Sequence, residues 1–152
     1  MTLLMICDRI SLKVICVKNR SELREIIMKV LYQSYIYDAS KTKYDIFDLI
    51  KENLEVENSF VNTIILGIRE NEEDILTLAN KYLEGWDINR LSKVDKAIFC
   101  IGIYELKYTD TPSVVCINEA IELSKKYSDE KVVKMLNATL DKIYHKEVLH
   151  ES

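Results

Sequence analysis

Two histidines and four cysteines are the residues of this 152-residue chain best suited to acid–base, nucleophilic or metal chemistry, and their placement argues against all three. His145 and His150 both lie near the C-terminus, so no distributed histidine is available to act as a general base beside a nucleophile or to complete a metal site. Cys7, Cys16, Cys100 and Cys116 show no C-x-x-C spacing, and two of them fall within apolar helical patterns, which indicates neither a zinc site nor a disulfide framework and fits a reducing cytoplasm. Gly67, Gly85 and Gly102 stand singly, so no phosphate-cradling loop follows a strand. The expectation is a protein with no enzymatic activity and no cofactor or metal.

What remains is charge. The formal net charge is −4, but residues 1–44 carry eight cations against four anions, residues 45–87 carry three against eleven, and residues 125–152 carry six lysines against five acids. A polyanion would therefore be bound by the two ends of the chain. In "KNRSELREII", Arg20 and Arg24 are one helical turn apart at a helix N-terminus, whose unpaired N–H groups and dipole favour anions; with Lys18 they make a candidate phosphate clamp. The competing expectation is that both arginines pair within the helix with Glu22 and Glu25. Near the other end, Lys131, Lys134, Met135, Lys142 and His145 share one face of a helix whose opposite face carries Val132, Leu136, Leu140 and Ile143. That face is either simply solvated or a surface for RNA or a partner. Tyr82 follows the apolar stripe of its helix, which reads as core, although a rim tyrosine can stack on a base.

The elements that must position these groups are helical. Apolar residues make up 48% of the chain, charged residues 30%, and there is one proline, a balance that predicts an all-α fold in a single compact bundle of about six to seven helices. Asn19 with Glu22 forms a capping-box pattern ahead of a helix to about Tyr37, and a second helix carries Ile46, Phe47, Leu49, Ile50 and Leu54. From Phe60 to Leu83 the apolar pattern is compatible with one long helix or with two. Ser92 with Asp95 caps a helix that is apolar almost all round and is expected at the centre. Thr111 and Pro112 are expected as N-cap and first-turn residues of the next helix, and a last helix spans about 129–146. Ile10, Leu12, Val14 and Cys16 alternate with period two, as in a strand. We expect residues 1–16 to lie outside the natural protein, with Val17 read from an initiating GTG codon; any other codon there counts against it. No apolar run is long enough to cross a bilayer.

The segments "NRSELRE" and "KVLYQ" within residues 19–33, "YLEGWDINRLSKVDKAIFCIGIYEL" at 82–106, "INEAIELSKKYS" at 117–128 and "LNATLDKI" at 136–143 resemble the NusB family of bacterial transcription antitermination factors. The resemblance implies an all-α fold of two packed helical halves, no catalysis, and binding of the boxA element of ribosomal RNA leader transcripts. It also implies partnership with the small-subunit ribosomal protein NusE, in the complex that holds RNA polymerase in an antiterminating state. Residues 1–17 then read as an N-terminal extension, 18–146 as the NusB-like RNA-binding domain and 147–152 as a tail. Carried over by position, the RNA-binding residues are Lys18, Arg20, Arg24, Tyr82, Lys131 and Met135, to which the basic face of the last helix adds Lys134, and Asp95 faces the ribosomal partner, or serves as the third residue of its capping box, or both. Asn118 and Asn137 match family positions and read as structural. The chain departs from the family at Ser21 and Glu22, where arginines are denser, and at Cys100, Lys131, Met135 and Ala138. The other reading is a helical protein-interaction adaptor without RNA binding, using the acidic middle.

Overall fold

A computed structural model describes residues 18–149. The expected strand and extension before Val17 lie outside the described residues. Within them the chain forms seven α-helices and no strand: α1 Arg20–Ala39, α2 Ile46–Asn53, α3 Ser59–Glu70, α4 Glu72–Tyr82, α5 Lys93–Tyr108, α6 Ser113–Tyr127 and α7 Glu130–Ile143. A 3-10 turn, Ile88–Arg90, precedes α5, and a π-helical turn, Tyr144–Val148, continues α7.

Local chemistry sets the boundaries. The side chains of Asn19, Asp45, Asn58, Ser92 and Asp129 each accept a hydrogen bond from a backbone N–H of the first turn that follows, satisfying donors that a helix start leaves unpaired. Residues 59–82 resolve into two helices because Asn71, at ψ 18°, leaves helical geometry and donates both its backbone N–H and its side-chain amide to the Gly67 carbonyl. The new helix opens with Glu72, Glu73 and Asp74, which suit its positive dipole end. At α6 the expectation is corrected: Pro112, not Thr111, occupies the cap position, and no side chain caps the helix. Pro112 is extended at ψ 135°, and its carbonyl accepts the first ladder bond, from the Cys116 N–H.

α5 is the axis of the bundle. It touches α1, α3, α4, α6 and α7; α1 packs with α2 and α3, and α7 packs with α6 and α4. These are two helical groups meeting on one central helix. Ile98, Phe99, Ile101 and Ile103 of α5 are fully buried beside Ile27, Leu31, Ile64, Ile65, Leu136 and Leu140, each such burial stabilising by about 1.5–3 kcal/mol before entropy is counted. Gly102 makes the close approach possible, since a Cβ there would lie 3.0 Å from the Leu140 side chain and 3.3 Å from Ala120. Cys100 and Cys116 are free and buried, with burial raising their thiols to about 11 and about 12. No helix among the described residues is long and apolar enough to cross a membrane.

Candidate nucleic-acid interface

At the N-terminal end, Lys18 and Arg20 are exposed and Arg24 is not. The Arg20 guanidinium carbon sits 3.9 Å from the ring centroid of Phe60, the second residue of α3, and that of Arg24 sits 5.4 Å from the same ring. Arg24 is 4% exposed. Its Nε donates to Glu105 Oε2 at 2.8 Å and its Nη2 to Glu105 Oε1 at 2.9 Å, with Glu119 at 3.7 Å from Nη1. Burial alone would lower the Arg24 pKa, but the hydrogen bonds and charge of Glu105 outweigh it and raise the value.

The clamp expected from sequence is therefore corrected in its geometry. Arg24 follows Leu23 inside the buried face of α1, so its guanidinium runs inward to the fully buried carboxylate of α5, and neither Glu22 nor Glu25 is its partner. Arg20, one turn earlier, clears that face and stays in water.

Glu25 instead ties α1 to α6, accepting from the Tyr127 hydroxyl and from Lys126 Nζ at 3.2 Å. The Tyr127 hydrogen bond is the largest influence on its carboxyl; burial opposes it, and the hydrogen bond and charge of Lys126 add to it, so the group is held below the ordinary value of 4.5. A depressed folded pKa means stabilisation that is present above pH 4.5 and lost as pH falls through the folded value. Glu25→Gln is expected to melt below the wild type at pH 7, with the difference closing as both are titrated toward pH 3. A gap that is constant with pH in thermal melts would count against this contact. Glu22, Glu119 and Glu122 line the same groove between α1 and α6, where Lys125 pairs with Glu122 and Lys126 with Glu25, so the groove beside the basic end of α1 mixes both signs of charge.

Near the C-terminal end the cations gather around the segment that leaves α4. Lys131 Nζ lies 4.8 Å over the ring of Trp86, and Lys142 pairs with Glu84. Lys134 is exposed and pairs within its helix with Glu130 at 3.5 Å, whereas Met135 is half-buried against the core. Tyr82 is also half-buried: its Oη donates to Glu147 Oε1 at 2.6 Å, and Lys81 Nζ donates to the same oxygen at 2.9 Å. These two hydrogen bonds lower the Glu147 pKa, and the one from Tyr82 raises the phenol's. Asp95 is 8% exposed; its N–H is capped by Ser92 Oγ at 3.1 Å, and its carboxylate accepts from Ser128 Oγ, joining the start of α5 to the turn between α6 and α7.

The predicted residues thus fall into two clusters: Lys18, Arg20 and Arg24 at α1 and Phe60, and Tyr82, Lys131, Lys134 and Met135 at the α4 exit and α7. Three residues escaped the sequence reading. Glu105 carried a signal, being an acid in the most apolar helix, where a buried carboxylate requires a partner. Trp86 stood out as the only tryptophan, placed between Gly85 and Asp87. Phe60 carried none, since it fits the apolar stripe of α3.

A protein-family model described as the NusB family matches residues 21–145, which takes in all of α2 through α7 and all but the first residue of α1. The chain belongs to the NusB family. The transcription antitermination protein NusB of Clostridium perfringens (strain SM101 / Type A) is 39% identical over 132 residues, spanning 83% of this chain and 96% of that protein. The solved T. maritima NusB superposes with a TM-score of 0.77 at 33% identity, over 88% of this chain and 96% of the other. A structure described as antitermination factors NusB and NusE in complex with dsRNA matches with a TM-score of 0.69 at 25% identity, over 83% and 96%. This NusB-family chain is accordingly a transcription antitermination factor and not an enzyme. The matched span holds Arg24, Tyr82, Asp95, Lys131, Lys134 and Met135, and begins just after Lys18 and Arg20.

Proposed function

We propose that this chain binds a boxA-type single strand of ribosomal RNA leader transcripts in the cytoplasm, together with the small-subunit ribosomal protein NusE, as a subunit of the RNA polymerase antitermination complex. The observation that carries the RNA reading is the end of α1, where Lys18 and Arg20 stay in water, Arg20 stacked on Phe60, while Arg24 turns inward. Such a group holds phosphates and leaves sequence to be read by exposed rings and base edges. In this reading Lys131 and Lys134 extend the cationic surface, Tyr82 and Met135 offer flat or apolar contact, and Arg24 acts by fixing the surface that Phe60 and Arg20 share. The first turn of α5, with Asp95, is the proposed contact for NusE. Support for both classes of partner comes from the related structure whose description names NusB and NusE in complex with dsRNA.

The test is a titration of a boxA-like RNA with and without NusE at two or more salt concentrations. Binding that tightens with NusE and weakens steeply with salt is expected. A chain that binds NusE but shows no RNA signal at low salt would sink this reading in favour of the adaptor.

A further inference from the structure

The five residues between α4 and the 3-10 turn are pinned at both ends. Leu83 is buried, Ile88 is fully buried, and the Ile88 N–H donates to Asn80 Oδ1 at 2.7 Å. Asp87 accepts from the Asn89 N–H at 2.8 Å, and Gly85 turns the chain at φ +74°, a conformation that L side chains rarely adopt. Between these fixed points stands Trp86, 40% exposed, with the Lys131 ammonium over its ring. Glu84 beside it is neutralised by Lys142, whereas Lys131 has no carboxylate partner among the described residues.

We propose that Trp86 is a stacking platform for one unpaired base of a single-stranded RNA, with Lys131 supplying the cation for the adjoining phosphate. A rigidly presented indole and a nearby mobile ammonium are the two parts that single-strand recognition combines, a flat surface for any base and a charge for the backbone. The loop sets the ring before binding, so little order remains to be imposed when a base arrives. Lys131 has a flexible four-carbon stem, and its ammonium turns from the ring to the phosphate as the base takes its place. The platform also begins four residues after Tyr82, so it continues the surface already proposed for RNA. This inference rests on the RNA-binding reading.

Because Trp86 is the only tryptophan, its fluorescence in the unmodified protein reports on this site alone. Adding boxA-like single-stranded RNA is expected to quench it, and the same sequence as a duplex is not. Trp86→Ala is expected to weaken single-strand binding about tenfold, and Trp86→Phe much less, because one aromatic face is retained. Circular dichroism melts check that both variants fold, and the wild-type fluorescence decides the matter if they do not. Single-stranded RNA that binds, by anisotropy of a labelled strand, without changing the fluorescence overturns the platform and leaves the RNA reading intact. Quenching by NusE alone, with no further change on adding RNA, overturns it in favour of a protein contact. Failure to bind RNA at any salt removes the functional reading and this inference together.

Discussion

Replacing Arg24 by alanine is expected to lower the stability of the fold by about 3–5 kcal/mol, and to do so in the absence of any ligand. The reason is what stays behind. Glu105 is fully buried in the central helix, and the two Arg24 nitrogens that hold its carboxylate oxygens at 2.8 and 2.9 Å are the groups that make that burial tolerable. Without them a carboxylate is left in the core with no comparable partner, and water must enter or the acid must take up a proton. In a thermal melt the loss should appear as a fall of about 10 °C or more for a domain of this size. Arg24→Lys should recover only part of it, because one ammonium cannot reproduce two parallel hydrogen bonds from a planar fork. Arg24→Met combined with Glu105→Leu should melt close to the wild type, since removing both charges also removes their desolvation cost. If Arg24→Ala alone melts with the wild type, the pair is not what holds α1 to α5. The same consideration bears on RNA experiments. A variant lacking both Arg20 and Arg24 combines a loss of fold stability with a loss of exposed charge, so it cannot isolate a phosphate contact.

Helices were legible where local chemistry sets them. Asn19 and Ser92 announce their helices by types that bond the following turn, and the all-round apolar pattern of α5 predicted its place at the centre. The break at Asn71 was open from sequence because the apolar period runs through it, and only the departure of its backbone from helical geometry decides the matter. Pro112 was misplaced by one position for a related reason: its type suits both the cap and the first turn. The site was less legible than the fold. Helical spacing put Arg20 and Arg24 one turn apart at the start of α1 but could not tell which of them crossed into the buried face. That distinction depends on Glu105, 81 residues away, and a pairing over such a distance leaves no local pattern. Phe60 gave no signal and Trp86 only that of a lone tryptophan, because each acquires its cation, Arg20 or Lys131, only when helices distant in sequence pack together.

Removing the two exposed cations of the α1 end separates binding from folding. A Lys18→Ala, Arg20→Ala variant is expected to melt within a few degrees of the wild type, since what it loses is a cation over Phe60 at an exposed site, about 0.5–1 kcal/mol. Its affinity for a boxA-like single strand is expected to fall about a hundredfold at low salt, taking roughly tenfold for each charge-assisted phosphate contact. The salt dependence carries the finer distinction. Each phosphate neutralised on a single strand contributes about 0.7 to the slope of log affinity against log salt, so the variant's slope should be shallower by about 1.4. Arg20→Lys should keep the slope, because the charge remains, yet bind more weakly, because an ammonium neither stacks flat on Phe60 nor offers a planar fork to phosphate. Affinity that drops with an unchanged slope would mean that these side chains act through something other than the backbone of the RNA. Affinity that does not drop would move the phosphate contacts to the α7 cluster, where Lys131 has no carboxylate partner among the described residues while Lys134 and Lys142 are already paired. With four glutamates lining the groove beside α1, Lys18 and Arg20 are the charges at that end best placed to meet an anion, and the titration therefore tests whether that end takes part in binding at all.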